Sequence, residues 1–134
     1  MTKTNAIGLM SGSSLDGLDI AYCQFDYSDN KWSYKIVESQ TLNYPSTLKE
    51  KLRDSMNFTA FELMKLNQEL GKYFGESAYD FIKNKQISEV NLIASHGHTV
   101  FHRPELGFST QIGCGATINA ITKVKTICDF RSTD

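Results

Sequence analysis

The segment Gly8-Leu9-Met10-Ser11-Gly12-Ser13-Ser14-Leu15-Asp16-Gly17-Leu18-Asp19 holds the residues best suited to grip an anion. Small residues from Ser11 to Ser14 let backbone N–H groups approach a ligand closely, and the serine hydroxyls add donors. Successive N–H groups in such a turn can form an anion-binding nest. Asp16 and Asp19 would repel a phosphate unless a cation intervenes, and Mg²⁺ chelated by nucleotide phosphates, through water, resolves that conflict. The plainer alternative is a Gly/Ser/Asp hairpin with no ligand. Residue types alone leave both open.

Three other loop chemistries are excluded. No Gly-Lys-Ser/Thr follows the glycines, so the loop is not a P-loop. GxGxxG is absent and the loop leads into a strand, which rules out a dinucleotide fingerprint. Ser11 is not held in GxSxG and no helix follows, so a nucleophile elbow fails too. What remains is a phosphate-gripping β-hairpin.

A second cluster lies at His96, His98 and His102, with Cys114 further on. Neutral imidazole is a common metal ligand, so the spacing admits zinc. A fourth nearby ligand is missing, and three ligands without ordered partners around them make a poor site. Histidines closing a strand end are the structural alternative, above all for His102. Arg131 is the one strong anion-binding side chain near the end of the chain; it can meet a carboxylate through paired hydrogen bonds or bridge to Asp129 or Asp134.

The elements that must position these residues follow from periodicity. Ala6–Met10, Leu18–Phe25 and Lys31–Leu42 are expected as strands, with Asp29-Asn30 turning between the last two; Trp32, Tyr34 and Ile36 alternate as a half-buried strand requires. Pro45-Ser46 opens a helix with Ser46 as its expected N-cap and Leu48, Leu52 and Met56 on one face. Thr59 and Glu62 form a capping box for a second helix, whose apolar stripe runs Phe61, Met64, Leu70, Tyr73, Phe74, Phe81, Ile82. Glu89–Ser95 predicts a strand ended by a polar His-Gly-His turn. Ala116–Thr122 predicts a helix, and Lys125–Phe130 a last strand. The order β-β-β-α-α-β-α-β implies an α/β fold in one domain over residues 1–134: a mixed sheet with an N-terminal antiparallel meander and flanking helices.

Composition narrows the classes. Fourteen Lys and Arg against 15 Asp and Glu offer no general attraction to nucleic acid or anionic lipid, so phosphate binding must be local. No apolar run approaches the ~20 residues of a membrane helix. The start lacks an apolar leader of the usual length, and three widely spaced cysteines in no CxxC pair suit free thiols. A cytoplasmic setting is the expectation.

GLMSGSSLDGLD, SHGHTVFHRPE (Ser95 to Glu105), TQIG (Thr110 to Gly113) and CDFRSTD (Cys128 to Asp134) occur in this order. Together they resemble the motifs of anhydro-N-acetylmuramic acid kinases, of the actin, hexokinase and Hsp70 class of ATPases. The family usually carries Thr where this chain has Ser13, Gln at His98, and further arginines at Ser132 and Thr133. The resemblance implies one lobe of an actin-like (ribonuclease H-like) ATPase fold, binding ATP with Mg²⁺ and a small amino sugar. Gly12, Ser13, Ser14, Leu15, Asp16, Gly17, Leu18 and Asp19 become the nucleotide segment. His96, Gly97, His98, Thr99 and Arg131 become the sugar lining, Arg131 facing the lactyl carboxylate of a muramic acid. The implied reaction opens the 1,6-anhydro bond with water and phosphorylates the freed 6-oxygen.

In the family the general-base aspartate lies in a GFDTGPGN-like motif downstream, which these residues do not contain. A C-terminal catalytic lobe is therefore an expected partner, and this chain alone is expected to turn over little. Apolar surface left where that lobe docks favours a homodimer. A non-catalytic module that binds a sugar or a protein, and a small metal-dependent hydrolase built on the histidines, are the rival readings.

Overall fold

The computed structural model describes residues 2–133. Its sheet forms from β1 (Thr2–Ser11), β2 (Leu18–Ser28), β3 (Lys31–Leu42), β4 (Leu92–Arg103), β5 (Phe108–Ile112) and β6 (Thr126–Ile127), with helices α1 (Ser46–Asp54), α2 (Ala60–Asn84) and α3 (Gly115–Thr122). Strand order is β3-β2-β1-β4-β5, and β6 pairs with β4 beside β5. β1 and β4 run parallel, as do β4 and β6; the remaining pairs are antiparallel. This is a mixed α/β sheet with flanking helices, the architecture of one lobe of an actin-like ATPase fold.

Alternation along the strands decides which face meets the helices. Ile7 and Leu9 of β1, Leu18, Ile20 and Tyr22 of β2, and Ile93 and Val100 of β4 join one core with Leu48, Leu52, Leu66, Leu70, Phe74, Ala78, Phe81 and Ile118 of the helices. Each large apolar side chain so buried contributes about 1.5–3 kcal/mol. Leu66, Leu70, Phe74 and Phe81 together outweigh the roughly 1 kcal/mol that each of Gly71 and Gly75 costs inside α2. Those glycines exist because α3 lies against them: a Cβ on Gly71 would stand 2.7–2.9 Å from the N, O and Cβ of Cys114.

Among the described residues no α-helix packs on the opposite face of the sheet, though Phe130 of a C-terminal 3₁₀ turn borders its groove. Trp32, Tyr34 and Ile36 are 65, 72 and 58% exposed there, against the expected half-burial. Alternation identifies an apolar face but not whether a layer covers it. A groove of about 750 Å³ runs along this face past Gly8, Met10, Asp19, Ala21, Thr41 and Ala94.

The local signals hold where their chemistry is self-contained. Asp29 and Asn30 take φ of 51° and 60°, the left-handed pair of a tight hairpin turn. Thr59 accepts from the N–H of Glu62, whose carboxylate accepts from the N–H of Thr59, closing the capping box. At α1 the cap is Pro45, not Ser46: the Pro45 carbonyl accepts from Lys49 N–H at 2.9 Å, which places Ser46 inside the first turn. Met56, Phe61 and Met64 are exposed and stand outside the core, while Leu70, Phe74 and Phe81 are buried in it. The expected last strand shrinks to Thr126–Ile127, followed by a 3₁₀ turn at Phe130–Thr133. Among the described residues, no helix is long and apolar enough to cross a membrane.

The largest departure concerns the His-Gly-His segment. It is not a turn but the middle of β4, which continues to Arg103 and turns into β5, a strand the periodicity missed. Gly97 has φ of 78°, so it kinks the strand without ending it.

Candidate functional site

The loop between β1 and β2 begins where the pairing Ser11↔Leu18 ends. Leu15 N–H donates to Gly12 O at 3.2 Å, folding Gly12–Leu15 into a turn with Ser13 and Ser14 exposed at its corner. Leu15 itself takes φ of 59°, an uncommon conformation for a non-glycine residue. Asp16 and Asp19 are exposed, whereas Gly17 and Leu18 are buried and tie the loop down. Asp19 is held by the Thr41 hydroxyl, which donates to its Oδ1 at 2.6 Å.

Beside this loop lies the kink of β4. Parallel pairing runs from Ala6↔Leu92 to Leu9↔Ser95, then resumes at Ser11↔His98. Three residues of β4, His96 to His98, therefore stand opposite two of β1, a bulge of one residue. Side-chain parity reverses across it. Ile93 and Ser95 face the helices before the bulge, and His98 and Val100 face them after it. His96 and His98, two positions apart, consequently point to different environments.

His98 is 4% exposed. Its Nδ1 lies 2.8 Å from Ser11 Oγ, which in turn accepts from the Tyr44 hydroxyl at 2.5 Å. Burial, and secondarily the nearby His96, pull the His98 pKa below its ordinary value. Burial pushes Tyr44 up to about 12. His96 is half-buried; its Nε2 accepts from Arg131 Nε at 3.2 Å, and its Nδ1 is 3.2 Å from Gly97 O. Thr99 Oγ1 accepts from Gln111 Nε2 at 3.1 Å.

The lowered pKa of His98 has a measurable consequence. An unfolded histidine titrates near 6.5, above the folded value, so below that pH the unfolded chain binds more protons. Stability is therefore expected to decline as pH falls through about 6.5 and to be unaffected by this group above it. Urea midpoints at neutral and mildly acidic pH should show a smaller acid loss in His98→Gln; an unchanged loss refutes the assignment.

Under His96 and Gly97 lies a cavity of about 250 Å³, bounded also by Asn67, Gln111, Cys114 and Asp129. Asn67 fixes its far wall: Oδ1 accepts from Gly113 N–H at 2.8 Å and the backbone carbonyl from Cys114 N–H at 3.0 Å. A Cβ on Gly97 would stand 2.6 Å from Ile112 O, so glycine is what lets β5 close this wall. Cys114, the N-cap of α3, makes no side-chain cap hydrogen bond, but the nearby Thr117 hydroxyl and the first-turn amides pull its thiol pKa below the ordinary value.

The fold thus brings the Gly12–Asp19 loop and the His96–Thr99 segment side by side, and Arg131 against His96. It turns His98 inward, where its ring supports the segment rather than lining a cleft. His102 is exposed, its Nδ1 3.3 Å from Ser109 Oγ, away from the other two rings. Among the described residues no group of three His, Cys, Asp or Glu side chains could hold a metal. Arg131 meets His96, while Asp129 accepts from Ser132; Asp134 lies outside the described residues.

Sequence reasoning passed over Tyr44 and Asn67, and read Gln111 only as part of the TQIG motif. Asn67 had a signal, a polar residue among the apolar positions of α2. Tyr44 had none, because its partner Ser11 is 33 residues away.

A profile of the family described as anhydro-N-acetylmuramic acid kinase matches residues 4–134. Proteins named anhydro-N-acetylmuramic acid kinase from Picosynechococcus sp. and Shewanella loihica are each 36% identical to this chain, and one from Vibrio vulnificus is 33% identical. These matches cover 96, 100 and 99% of this chain but only 35, 37 and 37% of the respective relatives. The chain spans little more than a third of the length of the relatives it matches, and over nearly all of its own length it belongs to the anhydro-N-acetylmuramic acid kinase family.

Proposed function

We propose that these residues form the phosphate-gripping lobe of an ATP-dependent kinase that opens 1,6-anhydro-N-acetylmuramic acid and phosphorylates its 6-oxygen. The observation that carries this reading is the juxtaposition, across the β1–β4 pairing, of the hairpin loop and the bulged His96–Thr99 segment. In that reaction water adds at the anomeric carbon and gives one proton to the general base as the bond from that carbon to the 6-oxygen breaks. The 6-oxygen takes the γ-phosphoryl group of ATP, and ADP departs.

Gly12, Ser13 and Ser14 present the exposed turn to the phosphates, with Leu15, Gly17 and Leu18 anchoring it. Asp16 and Asp19 are the carboxylates through which Mg²⁺ on the nucleotide would be met by way of water. His96, Gly97, Thr99 and Arg131 form the sugar side, with His98 supporting them from beneath. The general base and the opposing half of the cleft come from the further length that the relatives possess. Phosphoryl transfer relies on positioning and charge stabilisation from both sides, so residues 1–134, one domain in this reading, bind nucleotide weakly and turn over little by themselves. ATP as co-substrate and a sugar released from the cell wall for recycling fit a cytoplasmic enzyme. The uncovered sheet face is apolar enough to support a homodimer.

The test is ATP-dependent phosphorylation of the anhydro sugar by a polypeptide of the relatives' length that includes these residues, beside the 134-residue chain. Product from the long form alone is the expected result. A long form that binds the sugar without turnover would replace the kinase with a sugar-binding module.

A further inference from the structure

The chain Tyr44–Ser11–His98 touches neither candidate ligand, yet it joins the roots of both segments. Ser11 is the last residue of β1 and immediately precedes the turn at Gly12. His98 stands between Gly97 and Thr99 in the bulge. Tyr44 belongs to the loop after β3, and its ring packs 5.5 Å from that of Tyr73 on α2, whose hydroxyl donates to Asn43 O. Three separate parts of the fold thus meet at one serine oxygen.

We propose that Tyr44, Ser11 and His98 form a positioning relay that locks the root of the hairpin to the bulge of β4 and fixes His98 as its Nε2–H tautomer. The relay takes its ligands, though not its geometry, from the kinase reading above. Its direction follows from the donors. The Tyr44 O–H points at Ser11 Oγ. Ser11 Oγ could accept a second bond, but among the described residues its proton meets no acceptor except His98 Nδ1, 2.8 Å away, which assigns Nδ1 as the unprotonated nitrogen. The His98 proton resides on Nε2.

All three residues are at least nine-tenths buried, so water does not compete for these bonds. Packing alone needs no polar atoms here; apolar side chains of similar volume would fill the space. What hydrogen bonds add is orientation, because a buried polar network is satisfied in one arrangement only. A shift of Ser11 as the hairpin closes on phosphate must then move His98, and with it Gly97 and Thr99. The two subsites are held in register by the same bonds.

Two measurements test this. In ¹⁵N-histidine-labelled protein, long-range ¹H–¹⁵N spectra at neutral pH should show a single Nε2–H tautomer for His98, and a mixture in Ser11→Ala and Tyr44→Phe. In kinetics on the intact protein, Tyr44→Phe should raise KM for both ATP and the sugar by up to about tenfold, the scale of one lost hydrogen bond. His98→Gln, whose amide oxygen can take the Ser11 proton, should recover most of what His98→Leu loses.

A wild-type His98 in the Nδ1–H form overturns the relay. So does a Tyr44→Phe variant that unfolds at a lower urea concentration while both KM values and the tautomer stay put, since that marks a purely structural cluster. If the intact protein phosphorylates no amino sugar, the kinase reading falls, and the nitrogen spectra alone uphold or overturn the relay.

Discussion

Gly17→Ala is expected to destabilise the protein by about 3–5 kcal/mol, the sum of a hard overlap and a backbone conformation alanine resists. The methyl group would stand 2.0 Å from Leu42 O and 2.8 Å from its carbonyl carbon, with Asn43 Cα at 3.2 Å. All three are backbone atoms, so no rotamer change relieves them. Gly17 also has φ of 152°, outside the range that L-residues commonly use. A loss of that size is a large part of the 5–15 kcal/mol that holds a typical domain together. Gly8→Ala is the control, because nothing lies within 4 Å of its added Cβ. Urea midpoints should separate the two variants widely; a Gly17→Ala midpoint equal to wild type would show that the β2–β3 junction yields freely. Under the kinase reading proposed above, the surviving folded fraction should also bind nucleotide poorly, because Gly17 sets the path by which the hairpin returns to the sheet.

Gly71→Ala is the second large effect, expected to cost about 1–3 kcal/mol through overpacking. Its Cβ would meet Cys114 N, O and Cβ at 2.7–2.9 Å, so α3 must move away from α2 as a body. Gly75→Ala, one turn on, is much milder. Its contacts are looser, Ile121 Cδ1 at 3.0 Å, Ile121 Cβ at 3.2 Å and Ile118 Cα at 3.3 Å, and alanine recovers about 1 kcal/mol of helix propensity there. The pair contrasts a severe overlap at 2.7–2.9 Å with a slighter one at 3.0–3.3 Å along one interface. Thermal melts should show Gly71→Ala well below wild type and Gly75→Ala near it. Equal melts would mean that α3 is loosely seated. Because Cys114 and Gly115 wall the cavity beneath His96, the proposed kinase reading has Gly71→Ala weaken sugar binding as well.

The contrast between what was legible in the sequence and what was not follows the range of the interactions. The Asp29-Asn30 turn, the Thr59 capping box and the small-residue loop after β1 are decided within a few residues of themselves. The motifs that carried the family resemblance are likewise contiguous. Gly97 misled because a glycine between polar residues marks a turn and a bulge equally well; only the β1 register, 87 residues back, separates them. That same bulge reverses the facing of His98, which no period-two count across the segment could show. β5 was passed over because its partner is the unrecognised half of β4. The exposure of Trp32 and Tyr34 depends on what covers the sheet, which alternation does not encode.

The parallel β1–β4 pairing also sets an order of events during synthesis. The meander of β1, β2 and β3 is complete once residue 42 has emerged, but β4 begins only at residue 92. At roughly 5–20 residues per second, the intervening 50 or so residues take about 3–10 s to translate. Throughout that interval one edge of β1 has no neighbour. The pieces made meanwhile, α1 and α2, can cover the face bearing Ile7 and Leu9 but cannot satisfy the backbone groups along the edge. A nascent chain is therefore most open to wrong strand partners after its hairpin has formed and before the segment beside it exists.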